Sequence, residues 1–438
     1  MGQVQHVEVE KITNVKLTMV TANGKRFWSF IQDQNLFLKP NNKNLSMKTS
    51  RLWTIHLIWI FFFIGCSGKQ NTSFEIIPTS SQNLIDTLHL ETVLMDSIPS
   101  SYLGVFALKD KHLFFIDRLT GKLFKFSNEG KLERSLLGFG ESPSEINTQY
   151  IDGAILSDQL NVFIGSNFDM HVFDSNWDRQ KVGIIDWKWE TSNINEVEVP
   201  NPDERALYTF DYENLKLVQK GDFIYAPIYS EHHNFNPFTT HRFYRESYIL
   251  AEISLLTFEV TRLLGKRSEK YLDYRYLGHH AFFDFEPTEK GFYISHEIDS
   301  LIYFMDNGGD IRYAFGREGN QMDKTYKEVA ISDLRNKEDV AKVREAFVSN
   351  RPSKGFYTSI WYCRDQELLF RTYARGGNSD SDGLQIYLKE QLVGDVSVPK
   401  GFHIIGRLDE EFVAIPARKE NDMALSFFTF TIPESDSS

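Results

Sequence analysis

Residues 113–146 read LFFIDRLTGKLFKFSNEGKLERSLLGFGESPSEI, three short apolar runs separated by turns and followed by a glycine-rich loop. The first run ends at Asp117, and turns at Gly121 and at residues 128–130 separate it from the next two. Strands this short, joined by turns this tight, predict antiparallel hairpins. Because one small sheet cannot bury both of its faces, we expect further copies beside it.

The same hairpin pattern recurs along the chain. Five further copies lie at residues 161–183, 222–265, 291–316, 360–396 and 402–430. Six copies predict an all-β fold, a six-bladed β-propeller of four-stranded antiparallel blades over residues 74–433, with a pair of packed sheets as the alternative. The early strand-like stretches 74–78 and 88–94 are expected to complete the last blade and close the ring.

One segment, residues 321–350, lacks the alternation of a strand. Val343 and Phe347 recur at helical spacing, and Ser332 or Asn336 could cap the N-terminus of a helix. The sequence therefore predicts one helical insertion between blades four and five.

The composition fits a large β-rich body. The chain has 438 residues, of which 41% are hydrophobic, and its 36 Phe and 19 Tyr favour strands over helices. The formal net charge is -12. An acidic body repels phosphate backbones, so we expect no nucleic-acid partner.

Residues 47–66 read MKTSRLWTIHLIWIFFFIGC, a basic start, an apolar stretch and a small residue before a cysteine. This is the layout of a secretory signal peptide, and the apolar stretch is shorter than a typical membrane span. Residues 63–66 resemble the lipobox of bacterial lipoproteins, which implies a diacylglyceryl group on Cys66. An uncleaved anchor is the alternative.

This interpretation divides the N-terminal part and assigns a location. We expect residues 1–46 to be an extension upstream of the true start, residues 47–65 a signal peptide, residues 66–73 a lipidated tether, and residues 434–438 a tail. The resemblance implies a protein of the bacterial cell envelope, anchored by lipid in a membrane and facing the periplasm or the cell surface.

The opening stretch is also similar to the blades of six-bladed propeller lipoproteins of the NHL and TolB-like type. Those blades place an Asp after the first strand, then an apolar strand, a Gly turn and a Gly-rich loop. The matching positions here are Asp117, Leu123, Phe126, Gly130, Gly138, Gly140, Pro143 and Glu145. Ser142 and Ser144 stand where that pattern has glycine. The resemblance implies a fold and a location, and it implies no reaction.

The long insertion of blade three, residues 227–248, is the first candidate site. Glu231 and three histidines of this loop could ligate zinc, and its aromatic and polar residues suit a sugar or peptide. The predicted ligand-binding residues are His232, His233, Asn234, Phe238, His241 and Arg242. A solvated surface loop is the alternative. A second histidine pair, at residues 279–280, has no neighbouring ligand signature.

A second candidate imitates the first half of a calcium loop. Asn378, Asp380 and Asp382 place oxygen ligands at alternate positions. Lys389 occupies the twelfth position, where such a loop needs a bidentate Glu, so a polar hairpin turn is the better interpretation. No cofactor is therefore predicted, and calcium is the alternative.

No catalytic motif is found, neither G-x-S-x-G, H-E-x-x-H, a P-loop nor C-x-x-C, and no catalytic residue is predicted. Cys363 lies in an expected strand, where a buried and inert thiol is expected. Two functions remain open. One is a lipid-anchored binding or scaffolding protein for a glycan, peptide or protein partner. The other is a calcium-dependent hydrolase, by resemblance to six-bladed lactonases that hold calcium in the channel.

Overall fold

The computed structural model describes residues 74–157, 160–189, 193–211, 215–377, 379–417 and 424–432. Six sheets surround a common axis within these residues, which confirms the six-bladed propeller. The predicted upstream extension, signal peptide, tether and tail lie outside the described residues. No helix in the described part of the chain is long and apolar enough to cross a membrane.

Three short strands precede the ring, β1 (Glu75–Ile76), β2 (Ser81–Ile85) and β3 (Glu91–Leu94). Blade one holds β4 (Gly104–Lys109), β5 (His112–Asp117), β6 (Lys122–Phe126) and β7 (Leu132–Leu137). Blade two holds β8 (Ile151–Leu156), β9 (Asn161–Gly165), β10 (Asp169–Phe173) and β11 (Arg179–Ile184). Blade three holds β12 (Thr209–Phe210), β13 (Val218–Lys220), β14 (Phe223–Tyr229), β15 (Tyr248–Ser254) and β16 (Val260–Lys266).

Blade four holds β17 (Phe283–Pro287), β18 (Gly291–His296), β19 (Ile302–Asp306) and β20 (Ile311–Phe315). Blade five holds β21 (Phe356–Cys363), β22 (Leu368–Ala374), β23 (Ser381–Leu388) and β24 (Gln391–Pro399). Blade six holds β25 (His403–Leu408), β26 (Glu411–Ile415) and β27 (Ser426–Phe430). The α-helices among the described residues are α1 (Arg242–Glu246) and α2 (Lys337–Glu345), and α2 runs on into a π-helical segment, Ala346–Asn350.

The N-terminal segment closes the ring. β3 pairs antiparallel with β27 as the fourth strand of blade six, with Thr92 opposite Phe428. β1 and β2 pair in parallel with the outer strands of blades four and five. The chain thus passes along the outside of blades four and five before it completes blade six. This confirms the predicted closure for residues 88–94, whereas residues 74–78 pair with blade four and not with the last blade. The chain also covers two sheet edges that would otherwise present unpaired backbone groups.

The core lies between neighbouring blades. Successive side chains of a strand point to opposite faces of its sheet, so each blade buries two apolar faces against its neighbours. Phe114 of blade one and Phe163 of blade two belong to one such cluster. Buried Arg371 links blades five and four, since it donates to Ser295 Oγ and to the Ser300 carbonyl, each at 2.8 Å.

Two positions of the blade-one motif serve the fold. Burial alone would raise the pKa of Asp117, but hydrogen bonds from Ser100, Ser101 and Leu119 hold that pKa below its usual value. The carboxylate thereby ties the turn after β5 to the chain entering the blade. Gly130 has a φ of +77°, and a Cβ there would lie 2.5 Å from a backbone carbonyl oxygen. Only glycine fits both requirements.

The helical insertion is present between blades four and five, and it is shorter than residues 321–350. The helix begins at Lys337, after Asn336, whose side chain accepts a hydrogen bond from the Glu338 N–H at 2.9 Å. Val343 and Phe347 face a cluster that includes Phe238 of the blade-three insertion. Of the two predicted caps, Asn336 is the one that acts.

All long connections lie on one face of the ring. Neighbouring strands of a blade run in opposite directions. The connection from the second to the third strand of a blade therefore lies on the same face of the ring as the connection from one blade to the next. The long ones are residues 185–208, 230–247, 267–282 and 316–355. Turns on the opposite face are short. We call the face that carries the long connections the insertion face.

Candidate functional site: the central channel

The inner strands surround a cavity of about 760 Å³ along the axis of the ring. All six blades contribute lining residues, from β4, β8, β17, β21, β25 and the segment that joins β12 to β13. A cavity of this size can hold a small molecule or an extended side chain of a larger partner.

Blade three breaks the regularity of the ring. Its inner strand is split, because β12 and β13 pair with opposite ends of β14. Leu215, Lys216 and Leu217 of the intervening segment line the cavity. Gly153 on β8 makes room for them, since a Cβ there would lie 2.8 Å from a methyl group of Leu217. The glycine and the split strand are therefore matched features.

Lys216 joins three blades across the cavity wall. Its Nζ lies 3.2 Å from Asp284 Oδ1 of blade four and closer still to Glu286 Oε1. It also donates to the Ile360 carbonyl of blade five at 3.3 Å. One ammonium group thus serves two carboxylates and a main-chain carbonyl.

Strand alternation explains the position of the two carboxylates. In β17 the sequence Phe283-Asp284-Phe285-Glu286 turns both phenyl rings toward blade three, where they join one apolar cluster. The carboxylates take the other face, next to blade five. There Asp284 Oδ2 accepts the Ile360 N–H at 2.8 Å.

The surroundings shift the pKa values of this cluster. Burial would lower the pKa of Lys216, but Asp284 and Glu286 together raise it above its usual value. Burial raises the pKa of Glu286 to about 7, against the opposing effect of Lys216. The Glu286 carboxyl is therefore easier to protonate than an exposed glutamate.

The mouth of the cavity at the insertion face carries a second polar group. Tyr229 donates its hydroxyl hydrogen to Glu231, and burial raises the pKa of that carboxyl. Arg118 donates to the Asp152 carbonyl and lies over the ring of Tyr150, 5.8 Å from its centroid.

The remaining wall is largely apolar. Its side chains come from every blade except blade four, and they include Val105, Ile155, Leu215, Leu217, Trp361 and Ile405. The channel is thus amphipathic, with a charged cluster from blades three and four set among apolar side chains of the other blades.

The predicted loop histidines lie in the rim beside this mouth. His232 is buried, its Nε2 lies 3.0 Å from the Ile194 carbonyl, and its Nδ1 faces the Asn234 N–H at 3.2 Å. The ring of His233 stacks on it at 4.4 Å. The Asn234 side chain donates to the Glu198 carbonyl at 3.0 Å. These groups hold the rim together by contacts within the protein.

The other predicted loop residues are placed similarly. Phe238 is buried against the helical insertion. His241 Nε2 lies 3.4 Å from the Leu272 carbonyl, and Arg242 pairs with Glu246 at 2.5 Å. The structure brings all six residues into one folded rim, and their contact with a ligand stays a prediction.

The calcium candidate is only partly covered. Asn378 lies outside the described residues, and Asp382 lies within β23, where it accepts the Gly401 N–H at 2.7 Å. The calcium role of Asp380 and Asp382 stays a prediction. Across the described ranges, no group of three His, Cys, Asp or Glu side chains is placed to hold a metal ion. Those residues thus offer no observation in favour of the lactonase alternative. Cys363 is free and buried, as expected.

The chain matches no protein-family model and no curated protein by sequence. Among solved structures it is similar to a member of the DUF4221 family from Bacteroides vulgatus, with a TM-score of 0.55 and 11% identity, over 80% of this chain and 99% of that one. A Bacteroides fragilis protein to which export has been ascribed gives a TM-score of 0.46 and 12% identity, over 81% of this chain and 98% of that one. At such identities the similarity shows the propeller fold alone.

Proposed function

We propose that this protein is an exported, lipid-anchored binding protein whose ligand enters the central channel from the insertion face. One observation carries the proposal, the amphipathic cavity of about 760 Å³ that all six blades line. Concave sites with a few convergent polar groups on an apolar background are the usual form of ligand pockets. The ligand is part of a glycan, a peptide or a protein partner.

The position of the rim supports the same proposal. The blade-three insertion lies on the insertion face, and its residue Glu231 lines the cavity mouth. A partner seated on the rim could therefore place one group in the channel. The rim residues from His232 to Arg242 would contact the outer part of such a partner.

A binding array tests the proposal directly. Full-length protein in mild detergent is labelled and screened against glycans and peptides, and we expect hits that weaken at least tenfold in Tyr229→Ala. The matched control is Glu410→Gln, an exposed residue of a short turn on the opposite face. A blank array, or hits that Tyr229→Ala leaves unchanged, would contradict binding in the channel.

The envelope location has its own test. The sequence of residues 47–66 supports export and lipidation of Cys66, and the NHL or TolB-like resemblance of blade one is consistent with such a protein. Cys66→Ala should release the protein from the membrane fraction and abolish incorporation of labelled palmitate. A variant that stays in the membrane fraction would contradict the lipid anchor.

A further inference from the structure

The charges along the channel are unbalanced. Its lining includes four acidic side chains, two cationic ones and one histidine, which are Asp152, Glu231, Asp284, Glu286, Arg118, Lys216 and His403. The cationic groups are already engaged, since Arg118 donates to a main-chain carbonyl and Lys216 bonds to two carboxylates and another carbonyl. When all groups are ionised, the cavity therefore carries a net negative charge.

Glu286 can accept a further hydrogen bond. Its residue is only 8% exposed. Oε1 meets Lys216, whereas Oε2 has no hydrogen-bond partner among the described residues. Because Oε2 is not among the fully buried polar atoms that lack a partner, it reaches the cavity surface, where a donor on a ligand can bond to it.

The apolar part of the wall limits what such a donor can be attached to. Val105, Trp361 and Ile405 present apolar surface to the cavity. Apolar surroundings lower the local dielectric constant, which strengthens an ion pair that forms beside them. A ligand that fits both the charged and the apolar part of the wall has an apolar body and a positively charged end.

We propose that the channel takes ligands with an ammonium or guanidinium group on an apolar body, and that this group binds Glu286. The inference rests on the proposed function and names the chemical class of its ligand. The source is either a free amine or a basic side chain of a peptide.

Proton exchange supports the inference. The pKa of Glu286 is raised to about 7, so a cation competes with a proton for this carboxylate. The ionised fraction rises from about a tenth at pH 6 to about nine tenths at pH 8, so affinity for the cation should rise roughly tenfold between them.

The test uses matched probes and full-length protein in detergent, measured by isothermal titration calorimetry. For the free amine the probes are 2-phenylethylamine, 2-phenylethanol and 3-phenylpropionate. For the peptide they are acetyl-Phe-Arg-amide and acetyl-Phe-citrulline-amide. We expect at least one cationic probe to bind tenfold or more tightly than its neutral or anionic match, and to bind more tightly at pH 8 than at pH 6.

Two variants locate the effect. Glu286→Gln should weaken the cationic probe about tenfold or more at pH 8 and abolish the pH dependence. Glu289→Gln is the control, an exposed residue on the short turn after β17 that pairs with Arg364 at 3.1 Å. If Glu286→Gln does not fold, Glu286→Asp keeps the charge but shortens the side chain, and it should weaken the cationic probe more than its neutral match.

The outcomes separate the two proposals. Equal or tighter binding of the neutral or anionic probes, no binding of either cation, or no effect of the carboxylate variants overturns the cation inference. In that case array hits that weaken in Tyr229→Ala still leave channel binding standing. Array hits that are insensitive to Tyr229→Ala overturn the channel itself.

Discussion

Acid should destabilise the fold through three buried histidines. His279 and His280 are fully buried, and His296 is 2% exposed. Both ring nitrogens of His279 and His280 and the Nδ1 of His296 lack a hydrogen-bond partner among the described residues. Burial lowers the pKa of His279 and of His296 to about 3, and it lowers the pKa of His280 well below its usual value. The positive charge of Arg351 opposes protonation of His279 and His280 as well.

The sign and size follow from proton linkage. Below the unfolded pKa of 6.5 the unfolded chain binds protons that the folded chain does not, so the free energy of unfolding falls as the pH falls toward 3. Once the pH is well below 6.5, each such histidine lowers the free energy of unfolding by about 1.4 kcal/mol for every further pH unit. At pH 5 this is about 2 kcal/mol each for His279 and His296, about 4 kcal/mol together, and His280 adds to the loss in the same direction.

Urea unfolding followed by tryptophan fluorescence at pH 7.5 and pH 5 measures the effect. Between pH 7.5 and pH 5 the free energy of unfolding of His279→Gln should fall by about 2 kcal/mol less than that of the wild type. This holds whatever the stability of the variant at pH 7.5. The control, His112→Gln, alters a histidine that is 30% exposed on the opposite face and should follow the wild type. If His279→Gln loses as much as the wild type, the histidine is not held neutral in the folded state and the reasoning fails.

Three further changes test the architecture. Gly153→Val should lower the free energy of unfolding by about 1–3 kcal/mol because its side chain would overlap Leu217, and unchanged thermal unfolding would contradict the matched split strand. Arg371→Met should lower the free energy of unfolding by about 3–5 kcal/mol because it leaves buried carbonyls such as that of Ser300 without a donor. If urea unfolding shows a decrease of less than 1 kcal/mol, the link between blades four and five is contradicted. Deletion of residues 74–94 removes β3 and should make blade six the first site of limited proteolysis, whereas a wild-type digestion pattern would contradict the closure.

The outer strands of the blades could be predicted because local rules determine them. In blade one, the third predicted strand coincides with β7, since alternating residues and a Gly turn fix it. The inner strands β4, β8 and β17 were not predicted. They follow long connections, and β17 carries two acids among its phenylalanines, so it lacks the apolar run of the strands beside it. The alternation Phe-Asp-Phe-Glu was the available signal.

The candidate site could not be assembled from the sequence, because its parts are distant in the chain. Lys216 meets Glu286 from 70 residues away and the Ile360 carbonyl from 144 residues away. Local spacing favoured the loop histidines instead, yet contacts such as that of His232 with the Ile194 carbonyl bind them within the rim. No local pattern shows which polar side chains of a propeller converge on its axis.

A crystal structure of the full chain with its tightest-binding array ligand or cationic probe tests the central claim most directly. The account predicts the ligand inside the channel, with its polar group within hydrogen-bond distance of Glu286 and its apolar part against Trp361. A ligand seated on the outer surface, with the channel unchanged, would contradict the account.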